Sequence, residues 1–197
     1  MMLKIAVTGN IGSGKTTVCK IFESLGISVY YADKEAKKFY VEENVANEVI
    51  RLFGEQVYDD HQQLRIAELS RFAFKDPDKL RKLNDIIHPL VLKDFQRWCE
   101  RHEQEAYTAY ESALLFESGF FKQFDRSILI LSPVRIARQR VMKRDGSSAE
   151  EFEERRSRQM DEKQKIPLAD HIIHNDGVQA LIPQVMSVHE IYQGLNQ

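Results

Sequence analysis

The feature that most constrains this chain is a glycine-rich turn set between a short apolar run and a helical one. Leu3–Thr8 is apolar and has the length of a buried strand. It runs directly into Gly9-Asn10-Ile11-Gly12-Ser13-Gly14-Lys15-Thr16, which fits the pattern GxxxxGK[ST]. Thr16–Leu25 then has helical periodicity and stops at Gly26. Strand, glycine loop and helix in this order form a phosphate cradle. Gly9, Gly12 and Gly14 let the backbone come close to an anion. Inward-pointing loop amides make a nest for its oxygens, and the amino end of the helix adds roughly half a positive charge. Lys15 is expected to reach the β- and γ-phosphates of ATP, and the Thr16 hydroxyl to ligate Mg2+. The expected ATP contacts in this segment are Gly9, Asn10, Ile11, Gly12, Ser13, Gly14, Lys15, Thr16 and Thr17.

The rest of the chain alternates strand and helix. Ile27–Tyr31, Tyr107–Glu111, Arg126–Leu131 and His171–His174 read as further strands. Pro133–Arg144, Ser148–Lys163 and Val178–Tyr192 read as helices. Helical patterns also fill Lys34 to Gln104, interrupted at His88-Pro89, where Pro89 suits the first position of a new helix. Short apolar strands alternating with helices predict an α/β fold with a parallel sheet covered on both faces. The chain is expected to be a single domain over 1–197, with an inserted helical region at about 34–105 and a lid at about 134–163.

Composition narrows the partners. A formal net charge of -2 gives no general attraction to nucleic acid or to an anionic membrane. The longest apolar runs, such as Ile128–Leu131, are far too short to span a bilayer. Cys19 and Cys99 lie in helical patterns without CxxC spacing and read as buried, reduced thiols. No signal-peptide pattern opens the sequence, so a cytoplasmic protein is expected. The expected state is a monomer, although composition leaves assembly open.

A glycine loop alone does not separate a kinase from a nucleotide-dependent switch. The guanine signature NKxD is missing, since Asn84-Asp85 lacks the rest, and this counts against a switch. Asp33, just after the second strand, falls at the carboxyl edge of the sheet, where ligands collect in open α/β folds. A carboxylate there can take the proton of an attacking hydroxyl. It also suits the capping position of a helix beginning at Lys34, and position alone leaves both readings open. His171 and His174 point to opposite faces of a strand and make no convincing metal site.

Several blocks in order resemble the dephospho-coenzyme A kinase family along nearly the whole chain. They are Thr8–Thr16, Tyr31-Ala32-Asp33, Ile87-His88-Pro89, the ESALLFE run Glu111–Glu117, the RVMKRDG run Arg140–Gly146 with Arg156 and Gln159, and Ala169-Asp170 with Asn175. The resemblance implies ATP-dependent phosphorylation of the ribose 3′-hydroxyl of dephospho-coenzyme A, and a core with substrate-binding and lid parts. It implies that Asp33 is the catalytic base and that Arg140 acts on phosphate with Lys15. Arg144 and Arg156 are candidate ATP contacts beside a competing reading as a solvated basic face. His88 is implied to line the acceptor pocket; Phe116, Glu117 and Phe120 are further candidates for it, and a plain core reading fits the two aromatics equally well. The chain departs from the family pattern where Asn10 replaces a glycine, Tyr31 the first Asp of a DAD motif, and Glu111 and Ala113 an Asp and a Pro. Asn is the least costly substitute if the backbone at residue 10 is left-handed. Glu111 could still hold a magnesium-bound water, with a longer reach than Asp. Another small-molecule kinase, for a nucleoside, nucleotide or sugar, would share the loop and lid but not the acceptor pocket.

Overall fold

Five short runs rich in β-branched and aromatic residues extend, three of them deeply buried, where such side chains pack well. In the computed structural model these are β1 (Leu3–Thr8), β2 (Val29–Tyr31), β3 (Tyr107–Glu111), β4 (Arg126–Leu131) and β5 (His171–His174). They form one sheet in the order β2-β3-β1-β4-β5, and every neighbouring pair is parallel. The expected α/β class with a parallel sheet is what forms. β1 is central: Val7 is registered with Glu111 on one side and Ile128 on the other. Because all strands are parallel, their carboxyl ends share the edge from which the glycine loop emerges.

The structure describes residues 2–73 and 75–195. Met1, Phe74, Asn196 and Gln197, which the sequence reading included in its domain, lie outside the described residues. The chain divides into two units, Met1–Tyr31 with His102–Gln197, and Ala32–Arg101.

The first unit holds the sheet. Helices α1 (Lys15–Ser24) and α9 (Leu181–Gly194) contribute Val18, Cys19, Phe22, Val185 and Tyr192 to a core with Ile5, Val7, Tyr107, Ile128 and Ile130. The Phe22 ring meets Tyr107 edge-on at 6.2 Å. Burying one such ring contributes about 1.5–3 kcal/mol. Helices α6 (Val134–Asp145) and α7 (Ala149–Ser157) share a smaller cluster of Ala137, Val141 and Phe152, and Ile11 of the glycine loop packs against it. Gly146 ends α6 at φ +67°, and Ser148 with Glu151 forms a capping box that starts α7.

The expected helix over Ser148–Lys163 is in fact two pieces. α7 stops at Ser157, and α8 (Glu162–Lys165) starts afresh with the Asp161 carboxylate accepting from the Lys163 amide. Between them, the Met160 amide donates to Glu117 Oε1 in place of a helical carbonyl, while the Gln159 side chain accepts from the Ile11 amide.

The second unit is helical: α2 (Ala32–Ala36), α3 (Glu43–Phe53), α4 (Ile66–Ala73) and α5 (Pro77–Glu100). Here the interruption expected at His88-Pro89 does not occur. α5 runs through Pro89, and its initiating proline is Pro77, behind an Asp76 cap. Pro89 lacks the amide that would bond to the Asp85 carbonyl. The helix persists because Leu83, Ile87, Val91, Phe95 and Cys99 form one buried stripe that spans the defect. Cys19 and Cys99 are both buried, and neither is in a disulfide. Burial pushes the Cys19 thiol well up, which removes its nucleophilic form. Among the described residues, no helix is long and apolar enough to cross a membrane.

Candidate active site

The glycine loop is shaped by what surrounds it. Gly12 has φ +78°, and a Cβ there would stand 2.5 Å from the Ala137 carbonyl oxygen of α6. Gly14 has φ +95°, and its Cβ would stand 2.1 Å from Nδ2 of Asn175. Both positions therefore need glycine twice over, for conformation and for space. The Ser13 amide donates to the Asn10 carbonyl at 3.0 Å, closing the turn. The first helical bonds of α1 are donated by Thr17 and Val18 to the Gly14 carbonyl. The Lys15 and Thr16 amides precede them, at the end of the helix that attracts anions.

Lys15 lies along the loop, with Nζ 2.9 Å from the Gly9 carbonyl oxygen. That contact holds the ammonium beside the turn, and a phosphate oxygen is a stronger partner than a neutral carbonyl. Asn10 is buried, and its backbone is not left-handed, since Gln62 is the one non-glycine with positive φ among the described residues. The conformational cost considered for Asn in place of glycine does not arise. Its side chain is instead engaged: Oδ1 accepts from the Lys165 ammonium at 2.7 Å.

Arg140 projects from α6 to the rim of the loop. It donates to the Ser132 hydroxyl at 3.2 Å, to the Asn175 carbonyl at 3.3 Å and to Asn175 Oδ1 at 2.9 Å. Asn175 in turn donates to the Ser13 carbonyl at 2.7 Å. One amide side chain thus fixes both the arginine and the loop. Among the described residues, Arg140 is held by neutral oxygens and pairs with no carboxylate.

The other two arginines are placed differently. Arg144 grips Asp145 at 2.6 and 2.9 Å, and Arg155 adds a third bond at 3.0 Å. Together they hold the Asp145 carboxyl down at about 2. Arg156 faces Glu153 at 3.7 Å. Both would have to exchange these exposed partners to touch a nucleotide, which is cheap for surface pairs.

Oxygen donors suited to Mg2+ stand at the same edge. Thr16 is exposed at the start of α1. Glu111 is buried at the carboxyl end of β3. The charges of Glu111 and Lys15 both reach the Cys19 thiol of α1. Magnesium needs only one or two protein oxygens when phosphates and water supply the rest.

Phe116 is buried with its ring centroid 5.3 Å from that of Phe121, while Phe120 is half-buried. Glu117, expected in the acceptor pocket, turns Oε1 to the Lys165 ammonium at 2.7 Å and to the Met160 amide at 2.9 Å.

In the helical unit, Asp33 is exposed at the second position of α2. It therefore stands inside the first turn and not at the capping position. Its charge reaches both His88 and Tyr40. Burial holds the His88 imidazole below its ordinary value, against the pull of Asp85 and Asp33. Burial, then Tyr58 and Asp33, push the Tyr40 hydroxyl up to about 12. A carboxylate, a neutral imidazole and a protonated phenol thus share one neighbourhood. A histidine buried neutral adds stability above its unfolded value, and that stability is lost as pH falls through the lowered folded value. The NMR titration midpoint of His88 is expected below about 6.5; a midpoint above that value would contradict this environment.

Sequence reasoning missed two parts of this site. Lys165 reads as one more charge in a polar run, and nothing in that run's periodicity marks it as buried. Asn175 stands out in the sequence only as part of a block, and its bond to a loop far away in sequence leaves no local trace.

Comparison with known proteins agrees with this geometry. The dephospho-CoA kinase family model matches residues 3–180. A dephospho-CoA kinase from Aquifex aeolicus is 36% identical over 191 residues, covering 96% of this chain and 97% of its own length. One from Porphyromonas gingivalis is 39% identical, covering 96% and 94%. Among solved structures, a Thermus thermophilus protein superposes with a TM-score of 0.84 at 31% identity, covering 96% of this chain and 97% of its own. A dephospho-CoA kinase from Campylobacter jejuni gives 0.72 at 25% identity, with full coverage of both chains. A shikimate kinase from Acinetobacter baumannii shares the fold at a TM-score of 0.55 and 16% identity. With a glycine loop closed against α6, an arginine poised at its rim and these matches over nearly its full length, the chain belongs to the dephospho-CoA kinase family.

Proposed function

We propose that this enzyme transfers the γ-phosphoryl group of ATP to the ribose 3′-hydroxyl of dephospho-coenzyme A, the last step of coenzyme A synthesis. The observation that carries this reading is the glycine loop at the carboxyl end of β1, walled by Ala137 and Asn175 and overlooked by Arg140. The new bond joins the 3′-oxygen to the γ-phosphorus, the bond from that phosphorus to the β–γ bridging oxygen breaks, and ADP leaves. Asp33 orients the hydroxyl and accepts its proton. Lys15 leaves the Gly9 carbonyl and neutralises charge moving toward the leaving oxygen. Arg140 supplies charge to the transferring group. Catalysis of this type is positioning plus electrostatics.

When bound, Mg2+ would supply charge neutralisation across the phosphate oxygens; Thr16 would hold it, with Glu111 as a second oxygen source. His88 lines the acceptor side, with Phe116 and Glu117 as further candidates. The segment 134–163 acts as the lid that excludes water and limits wasteful hydrolysis. Cys19 and Cys99, buried and without a disulfide, suit a reducing cytoplasm.

The test is ADP release from ATP and Mg2+ with a panel of acceptors. Dephospho-coenzyme A should stimulate release strongly, and nucleosides and sugars should not. Faster release with a nucleoside or sugar, or release independent of acceptor, would overturn the reading. In the same assay Arg140→Ala is expected to lower turnover by about 10³-fold, the low end of what arginine supplies in phosphoryl transfer. Unchanged turnover would remove Arg140 from the mechanism.

A further inference from the structure

Lys165 is fully buried. An ammonium taken out of water is costly unless it is both paired and hydrogen-bonded. Here Nζ meets Glu117 Oε1 at 2.7 Å and Asn10 Oδ1 at 2.7 Å. The same stretch of chain also reaches the loop in other ways. Gln159 Oε1 accepts from the Ile11 amide at 2.7 Å, and the Asn10 side-chain amide donates to the Met160 carbonyl at 3.4 Å. Gln159 Nε2 donates to the Ala113 carbonyl at 3.4 Å, tying this stretch to the one that carries Glu117. The first half of the glycine loop is thus held from outside, by residues 159–165. Loop amides bind phosphate only when their peptide planes are set in advance, because orienting them at the moment of binding costs affinity.

We propose that Lys165 is a positioning residue for nucleotide binding. Its ammonium, neutralised by Glu117, fixes Asn10 and with it the peptide planes that open the phosphate cradle. A charge serves here where an apolar residue would pack equally well, because it can hold a neutral amide oxygen and a carboxylate together. The inference rests on the reading of the loop as the site of the ATP phosphates.

A purely structural ion pair makes a different prediction, and three variants separate them. Lys165→Met leaves the half-buried Glu117 carboxylate without its cation, so both Tm and ATP affinity should fall. Lys165→Met combined with Glu117→Gln removes the stranded charge, and Tm should recover, since a neutral replacement of similar volume is tolerated in place of a buried pair. The bond to Asn10 stays lost, so the calorimetric Kd for ATP with Mg2+ should remain raised about tenfold, the loss expected for one hydrogen bond to a charged group. Asn10→Ala leaves the ion pair intact and should raise Kd by a similar factor. Wild-type Kd in the double variant, or in Asn10→Ala, would overturn the proposal. Failure of the unaltered protein to take up ATP would instead overturn the parent reading of the loop.

Discussion

Replacing Asp33 by Asn should cut turnover by about 10²–10⁴-fold, the range supplied by one positioned general base. The substitution keeps size and hydrogen-bonding capacity and removes only the capacity to take a proton. ATP affinity should change by no more than about twofold, because the phosphate cradle is built from other residues. Steady-state kinetics with calorimetry checks both numbers. The position makes the prediction sharp: Asp33 is exposed, in the first turn of α2, and its charge reaches His88 and Tyr40. Equal losses of turnover and nucleotide affinity would assign Asp33 a structural role in α2.

The second large effect is expected at Gly12. In Gly12→Ala the new Cβ would meet the Ala137 carbonyl oxygen at 2.5 Å and the Ala137 carbonyl carbon at 2.9 Å. These are backbone atoms of α6 and cannot rotate away. The left-handed backbone at φ +78° adds about 1–2 kcal/mol of strain for a residue with a Cβ. Relief requires moving either the loop or α6, and both disturb the cradle. ATP affinity should fall by about 100-fold or more, equivalent to about 3 kcal/mol. Gly26→Ala is the control. It has φ +84° but nothing within 4 Å of the new Cβ, so it should lose only the strain, about 1–2 kcal/mol of stability, and keep its ATP affinity. Equal loss of affinity in the two variants would mean that close packing around the loop does not matter.

The parts of the fold that were legible in sequence are those whose signals are local. β1, the glycine loop and α1 follow one another within a single stretch, so pattern and geometry coincide. β3, β4 and β5 fall where their apolar runs end. The misreadings come from tertiary override. Pro89 is a strong local breaker, yet the buried stripe of Leu83, Ile87, Val91 and Phe95 keeps α5 continuous through it. The run Ser148–Lys163 reads as helical along its length, but the Met160 amide is given to the distant Glu117 carboxylate, a bond it makes only by leaving the helix ladder. The same logic governs the site. Loop residues could be named from spacing because their work is done by neighbouring amides. Arg140 could be named only through family resemblance, and its fixed geometry depends on Asn175, more than thirty positions away. By sequence, Asn10 looks like a conformational compromise. It is instead a side chain with a partner, and that partner, Lys165, was invisible because a single buried lysine leaves no periodic mark.

The central claim is phosphoryl transfer from ATP to one particular hydroxyl. The most direct measurement follows the label from ATP labelled at the γ-phosphate, incubated with the purified protein, Mg2+ and dephospho-coenzyme A. The label should appear as a 3′-phosphate monoester on the ribose, in amounts matching the ADP formed. Label recovered only as inorganic phosphate, or on a different position of the acceptor, would contradict the account.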